Sequence, residues 1–311
     1  MQAAKDYSAA RGKPAPASRS ARARNSGSAT EFSSEIEATL GEREFRFLAQ
    51  LVYDTAGIVV GPHKRNMVFS RLVRRLRDLG LSTFPDYCAY VQSPEGADEM
   101  GSLINAMTTN LTRFFREDHH FEFLAEKALP FALAEARKEG KRRLRLWSAG
   151  CSSGEEPYSI AITLKNAVPD LAQWDAKILA TDLDTQMVAR ARAGIYPEEV
   201  IAELPRARRE GHFAPAPGEA GQMAASADLR RLIAFKPLNL LGDWPVKGPF
   251  DAIFCRNVMI YFDKPTKQRL VDRLTALLRP GGYLFVGHSE TLLEHQSTLK
   301  LVGRTIYRRT A

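Results

Sequence analysis

The chain is 311 residues long, 44% hydrophobic and 26% charged, with a formal net charge of +8. That is the composition of a folded globular protein with room for two domains, and no apolar run approaches the roughly 18–20 residues that span a bilayer. The three cysteines, Cys88, Cys151 and Cys255, are far apart and form no CxxC pair, which argues against a disulfide framework or a zinc site and for a reducing, cytoplasmic setting.

Residues 1–30 hold six basic side chains against Asp6 alone, so most of the net charge belongs to this Ala-, Ser-, Arg- and Pro-rich stretch. It has almost no large apolar side chains and is expected to be a disordered tail. A basic tail of this kind is more often a solubilising arm than a nucleic-acid binder, so nucleic acid is not the expected partner. The start lacks a contiguous apolar segment, and neither an export signal nor membrane insertion is expected.

From 32 to 107 the pattern is helical. The segment at 43–60, "EFRFLAQLVYDTAGIVV" and its neighbours, places Phe45, Phe47, Leu48, Leu51 and Val52 on one side and stops at Gly57. The next helix, "KRNMVFSRLVRRLRDLG", aligns Val68, Leu72, Leu76 and Leu79 and leaves Arg71, Arg74 and Arg77 off that stripe. Two shorter helices follow in "TFPDYCAYVQS" and "EMGSLINAMTTN". "HHFEFLAEKALPFALAEARKEG" reads as a helix kinked at Pro130. No third ligand stands at metal spacing from His119–His120, so that pair reads as structural and no metal is expected.

From 144 onward strands and helices alternate, which predicts an α/β fold with a mostly parallel, doubly wound sheet and ligands at the carboxyl ends of its strands. "LRLWSAG", "AKILATDLD", "FKPLNLL", "DAIFCRN", "GGYLFVGHS" and a last strand near "VGRTIYRR" are the expected strands. The Pro-, Gly- and Ala-rich stretch 211–235 interrupts the rhythm and predicts a small inserted subdomain.

The turn after the first strand, "SAGCSSGEEPYSI", has the strand–turn–helix order of a nucleotide-binding loop. Ser153 and Glu156 stand at capping-box spacing, with Pro157 in the first turn, so Glu156 is expected to cap the helix. Glu155 has no such role. A carboxylate there repels phosphate and accepts hydrogen bonds from hydroxyl or ammonium groups. Asp182 ends the second strand, where an acid suits a ribose diol, and Asp184 is the better N-cap for the helix that follows. A ribose-bearing, cationic ligand without phosphate fits these residues, and S-adenosylmethionine (SAM) is one.

Five co-linear segments, "TTNLTRFFRE", "WSAGCSSGEEPYSIAITL", "ATDLD", "PLNLL" and "FDAIFCRNVMIYF", resemble the CheR-type chemotaxis receptor methyltransferases over roughly residues 40–310. The resemblance implies a Rossmann-like SAM-dependent methyltransferase domain with a small β-subdomain (108–311), preceded by a small all-α receptor-docking domain (32–107). It implies that Asn110, Thr112 and Arg116 contact SAM from the linker. Glu155 and Asp182 would meet its amino-acid and ribose parts, and Asn239 and Leu240 would flank the adenine. Arg256 and Asn257 would lie at the end of the next strand, with Tyr261 near the methyl.

The implied reaction is methylation of glutamate side chains on the helical cytoplasmic region of chemoreceptors, giving glutamyl methyl esters and S-adenosylhomocysteine (SAH), with the enzyme a monomer recruited to receptor arrays. Arg116, Asn257 and Tyr261 would position the carboxylate, and Arg71, Arg74 and Arg77 would dock the acidic receptor helices. Each has a plainer alternative: a surface ion pair for Arg116, a backbone contact for Asn257, core packing for Tyr261, and a solvated face for the arginines. Members that dock a receptor's C-terminal pentapeptide carry a basic, Gly-rich turn in the insertion, and "APAPGEAGQMAASADLR" lacks one, so pentapeptide tethering is not expected here. Two other functions are compatible with the sequence: a SAM methyltransferase acting on RNA or a small molecule, and a non-catalytic SAM- or SAH-binding signalling module.

Overall fold

The computed structural model describes residues 40–292 and 298–310. The expectation for the 1–31 tail lies outside them. Four helices come first: α1 (Glu42–Ala56), α2 (Arg65–Leu79), α3 (Phe84–Gln92) and α4 (Glu99–Met107). Helix α1 buries Phe45, Leu48, Val52 and Ala56, one residue per turn, and ends where Gly57 adopts a left-handed φ of 68° and donates to the Tyr53 carbonyl. Helix α2 buries Val68, Leu72, Val73 and Leu76 and stops in the same way at Gly80. These stripes close a core of their own. Glu99, buried in this domain, accepts from Arg75 Nη2 at 2.7 Å and from the Tyr87 hydroxyl at 2.9 Å.

After a linker, α5 (His119–Phe123) runs through a π-turn (Leu124–Ala128) into α6 (Leu129–Lys138). Pro130 cannot donate to the carbonyl four residues back, and the widened turn sits immediately before it, so the expected kink takes the form of a π-bulge. The α/β part then follows: β1 (Arg143–Ala149), α7 (Glu155–Ala167), β2 (Asp175–Asp182), α8 (Thr185–Ala193), β3 (Ile195–Pro197), α9 (Glu198–Ala202), α10 (Arg206–Arg209), β4 (Phe213–Pro215), β5 (Gln222–Ala225), α11 (Ala227–Leu232), β6 (Ile233–Pro237), β7 (Phe250–Cys255), α12 (Lys264–Leu277), β8 (Leu278–Val286), β9 (Leu299–Gly303) and β10 (Ile306–Arg309).

Seven of these strands form one sheet in the order β6-β2-β1-β7-β8-β10-β9. The first five are parallel, and the β9–β10 hairpin adds two antiparallel strands at one edge. The chain winds outward from β1 through β2 to β6 and then crosses to β7 on the other side. The switch point therefore lies between β1 and β7, where open α/β sheets form a ligand crevice. Apolar layers cover both faces, and β7 is buried along its whole length, as a central parallel strand requires.

Two boundaries differ from expectation. The inserted subdomain is the three-stranded sheet β3-β5-β4, spanning 195–225 rather than 211–235. Its first strand is only three residues long, and β6 already belongs to the main sheet, with α11 packed against it. The strand expected in "FKPLNLL" is β6, which ends at Pro237 on the sheet edge, leaving Leu238–Leu240 as a loop.

Candidate active site

The carboxyl ends of β1, β2, β6 and β7 open into one cleft enclosing about 980 Å³, part of it continuous with solvent. Gly150 and Ser152 follow β1, Asp182 and Leu183 close β2, Leu238–Leu240 follow β6, and Arg256–Val258 follow β7. The linker supplies Thr108–Arg113 and Arg116, and the helical domain supplies Ala56, Ile58 and Met107. The cleft is thus built by both parts of the chain. Close packing shapes its floor: a Cβ on Gly150 would stand 2.3 Å from Val258 Cγ2, and Gly150 also holds a φ of 88°.

The turn after β1 departs from the expected cap. Gly154, at φ 102°, is the N-cap of α7, and no side chain caps it. Glu156 instead turns inward and accepts from Ser148 Oγ at 2.6 Å and from Arg256 Nη1 at 2.9 Å. Burial pushes its carboxyl up against the pull of Arg256. Glu155 accepts from Ser153 Oγ at 2.7 Å, with Arg190 as its cationic neighbour, and is not among the residues lining the cleft. Of the two glutamates, the structure brings Glu156 to the cleft and leaves Glu155 beside it.

Asp182 is buried at the cleft wall. Its Oδ2 accepts from the Ser152 N–H at 2.7 Å and its Oδ1 from the Asp184 N–H at 2.9 Å. The Leu183 N–H is also directed at this carboxylate, which still leaves it acceptor capacity for a ligand. Burial raises its pKa, and these N–H bonds oppose the rise. Asp184 is the N-cap of α8, as expected, accepting from the Gln186 and Met187 N–H groups. Its other oxygen accepts from Asn110 Nδ2 and Thr108 Oγ1, both at 2.8 Å. Asn110 lines the cleft, but its amide nitrogen is used to fasten the linker to α8.

Asn239 is also a brace. Its Nδ2 donates to the Thr55 carbonyl of α1 at 2.7 Å, and its Oδ1 accepts from the Leu241 N–H. Leu240 is buried beside it in the cleft wall. Arg256, expected to reach the cofactor, has a side chain only 2% exposed. It pairs with Glu156, lies 3.4 Å from Glu117, donates to the Arg116 carbonyl, and faces the Phe121 ring. Its chief role is to hold the linker against β7.

Asn257, Tyr261, Thr112 and Arg116 meet in the cleft. Asn257 has a φ of 59°, a left-handed conformation that costs a non-glycine residue free energy and commonly marks functional sites. The Tyr261 hydroxyl lies 3.4 Å from the Thr109 carbonyl, and its backbone carbonyl accepts from the Val59 N–H at 2.9 Å. Arg116 Nη1 donates to the Leu111 carbonyl at 2.8 Å.

The three arginines of α2 are not equivalent. Arg71 Nη1 donates to the carbonyls of Met107 and Thr108 at 2.9 and 2.7 Å, capping the C-terminus of α4, and Nη2 reaches Thr109 Oγ1. Arg74 and Arg77 are exposed. Sequence reasoning overlooked Ser152, Glu156 and the α1 and α4 residues of the cleft. Glu156 was masked by its capping-box spacing, and only contact across the fold reveals the rest.

The donor set fits the expected ligand: a buried carboxylate with free lone pairs suits a diol, and Leu183, Leu240 and Val258 offer apolar walls to a base. Among the described residues no group of three or more His, Cys, Asp or Glu is arranged to hold a metal ion, and no helix is long and apolar enough to cross a membrane.

Comparison with known proteins agrees with this architecture. Residues 43–108 match the CheR methyltransferase all-alpha domain, and residues 110–308 match the CheR methyltransferase SAM binding domain. The chemotaxis protein methyltransferase of Klebsiella aerogenes is 45% identical over 287 residues, covering 92% of this chain and 95% of its own. That of Escherichia coli is 44% identical over 271 residues, covering 86% and 91%. A probable chemotaxis protein methyltransferase of Rhizobium etli is 45% identical over 262 residues, covering 84% and 97%. The chain therefore belongs to the CheR methyltransferase family.

Proposed function

We propose that this chain transfers a methyl group from SAM to glutamate side chains of chemoreceptors, forming glutamyl methyl esters. The observation that carries the proposal is the convergence of Asp182, Arg116, strained Asn257 and Tyr261 on one cleft at the sheet's switch point. Bound SAM supplies a methyl carbon on a sulfonium, and the thioether that leaves needs no proton.

A glutamate has a reference pKa near 4.3, so at neutral pH the nucleophile is already ionised and no general base is needed. The protein's task is alignment. Arg116 and Asn257 Nδ2 offer donors to a carboxylate, and the Tyr261 hydroxyl offers another, so these three hold the incoming oxygen without exchanging protons with it. Asp182 takes the ribose hydroxyls, Asn110 and Thr112 face the ligand from the linker, and Leu240 walls the base beside Asn239.

The substrate reading extends to the surface. Exposed Arg74 and Arg77 on α2 suit an acidic helical bundle, and such rim charges act mainly on association. The loop 216–221 between β4 and β5 carries Glu219 and no basic residue, which supports methylation without a receptor pentapeptide. The working form is a monomer on the cytoplasmic part of receptor arrays. Incubating the chain with tritiated SAM and receptor-containing membranes should place base-labile methyl groups on the receptor. Base-stable label, or label in RNA or small molecules instead, would refute the reading.

A further inference from the structure

Behind the β7 loop lies a second carboxylate that the scheme above does not use. Glu290 is buried, and its Oε2 accepts from the N–H groups of Asn257 and Gly287, both at 2.7 Å, while Oε1 accepts from the Ile260 N–H at 3.2 Å. Among the described residues it has no salt-bridge partner within 4.0 Å. A buried carboxylate without a cation is expensive, and backbone N–H donors aimed at it are what make it tolerable. The surroundings are built tightly around this arrangement. A Cβ on Gly287 would stand 2.6 Å from Asn257 Nδ2 and 2.8 Å from Glu290 Oε2, so the residue that follows β8 can approach this closely only as glycine.

Two of the three N–H groups that Glu290 collects, those of Asn257 and Ile260, belong to the turn presenting Asn257 and Tyr261 to the cleft, and the third ties that turn to the end of β8. Asn257 is held left-handed, a conformation that asparagine tolerates better than other non-glycine residues, and its N–H bond to Glu290 helps to fix it there. On the opposite side, the Val59 N–H grips the Tyr261 carbonyl, so the turn is clamped from below by Glu290 and from above by the segment after α1. We infer that Glu290 is a positioning residue: it fixes the Asn257–Tyr261 turn in the shape that receives the substrate carboxylate, while the cofactor wall on β1, β2 and β6 is built independently of it.

The inference rests on the proposed methyl transfer but is tested separately from it. In Glu290→Ala, amide exchange at Asn257, Ile260 and Gly287 should quicken at least tenfold while β1 and β2 stay protected. kcat on receptor should fall at least tenfold, and the SAH dissociation constant should stay within threefold of the wild type. Glu290→Gln keeps one oxygen that can accept two N–H groups and should recover part of the rate; it also carries the test if the alanine variant does not fold. Unchanged exchange at the three amides overturns the inference, as does SAH affinity falling in step with kcat, or a rate within threefold of the wild type. If the wild-type chain does not methylate receptor, the substrate reading fails and the exchange result still decides the role of Glu290.

Discussion

Replacing Glu156 with alanine tests the central correction, that this glutamate neutralises a buried guanidinium and does not cap a helix. Arg256 is 2% exposed and would keep only Glu117, 3.4 Å away, as a counter-charge. Removing one partner of a buried ion pair costs about 3–5 kcal/mol, and the nearby Glu117 places this case near the lower end, at about 3 kcal/mol. Ser148 also loses its acceptor, worth about 1 kcal/mol. All three tryptophans, Trp147, Trp174 and Trp244, lie in the α/β part, so their fluorescence reports its unfolding separately from the helical domain. The two losses together come to about 4 kcal/mol, so at about 2–4 °C per kcal/mol for a domain of this size Tm should fall by about 8–16 °C. SAH affinity should fall by less than tenfold. The double variant Glu156→Met, Arg256→Met should regain at least half of the loss, because the guanidinium leaves together with its partner and Glu117 keeps the His288 donors. A loss below about 1 kcal/mol in the single variant, the size of an exposed cap, would refute the reasoning.

Asp182→Ala should weaken SAH binding by at least about 1 kcal/mol in calorimetry, and Asp182→Asn, which keeps an acceptor for the Ser152 N–H, should lose less; unchanged affinity in both would remove Asp182 from the site. His120 is fully buried and its pKa is pushed down to about 3, first by burial and then by Arg256, so it is neutral in the folded protein. A depressed histidine contributes stability above pH 6.5 and loses it on acidification, by about 1.4 kcal/mol per pH unit until its folded pKa is reached. Glu156, Asp182 and Glu290 shift the other way, since burial raises them and acid relieves their cost, so the histidine's share must be read as the difference between wild type and His120→Gln: about 1 kcal/mol between pH 6.5 and 5.5 in urea titrations, with equal pH dependence counting against it. Reversing Arg74 and Arg77 to Glu should cut the second-order rate on receptor tenfold at low salt, about 1.4 kcal/mol, and leave SAH affinity unchanged; normal rates would make α2 a solvated face. Arg71→Ala should instead lower stability by freeing the end of α4.

The order of elements was readable because each carries a periodic signature. The stripes of α1 and α2 and the left-handed glycines that end them stand in the sequence as spacing, and so does the alternation of β1, β2, β7 and β8 with their helices. What periodicity could not show was β3. Three residues contain no repeat, so the subdomain was recognised only from its Pro- and Gly-rich hairpin and placed 16 residues late. The strand before "PLNLL" was shifted for a related reason, since apolar leucines after an edge strand look like its continuation.

The site was readable at its strand ends and obscure at its charges. Asp182 and Asp184 separate into strand end and helix cap because both positions are local: one residue ends a strand, the other begins a helix. Glu156, Arg71 and Arg256 do not sort, because each is decided by a partner far along the chain. Glu156 meets Arg256 100 residues later, and Arg71 meets the α4 carbonyls 35 to 37 residues later. A spacing rule offered Glu156 a cap, yet satisfying Ser148 and Arg256 inside the fold outweighs a first-turn hydrogen bond that water can replace. The same logic makes the helical domain part of the cleft. Asn239 reaches Thr55, Tyr261 is gripped by Val59, and Asp184 collects Thr108 and Asn110. Cofactor-wall residues therefore depend on α1 and the linker for their positions, so the SAM domain cannot present its cleft in this shape without the helices before it.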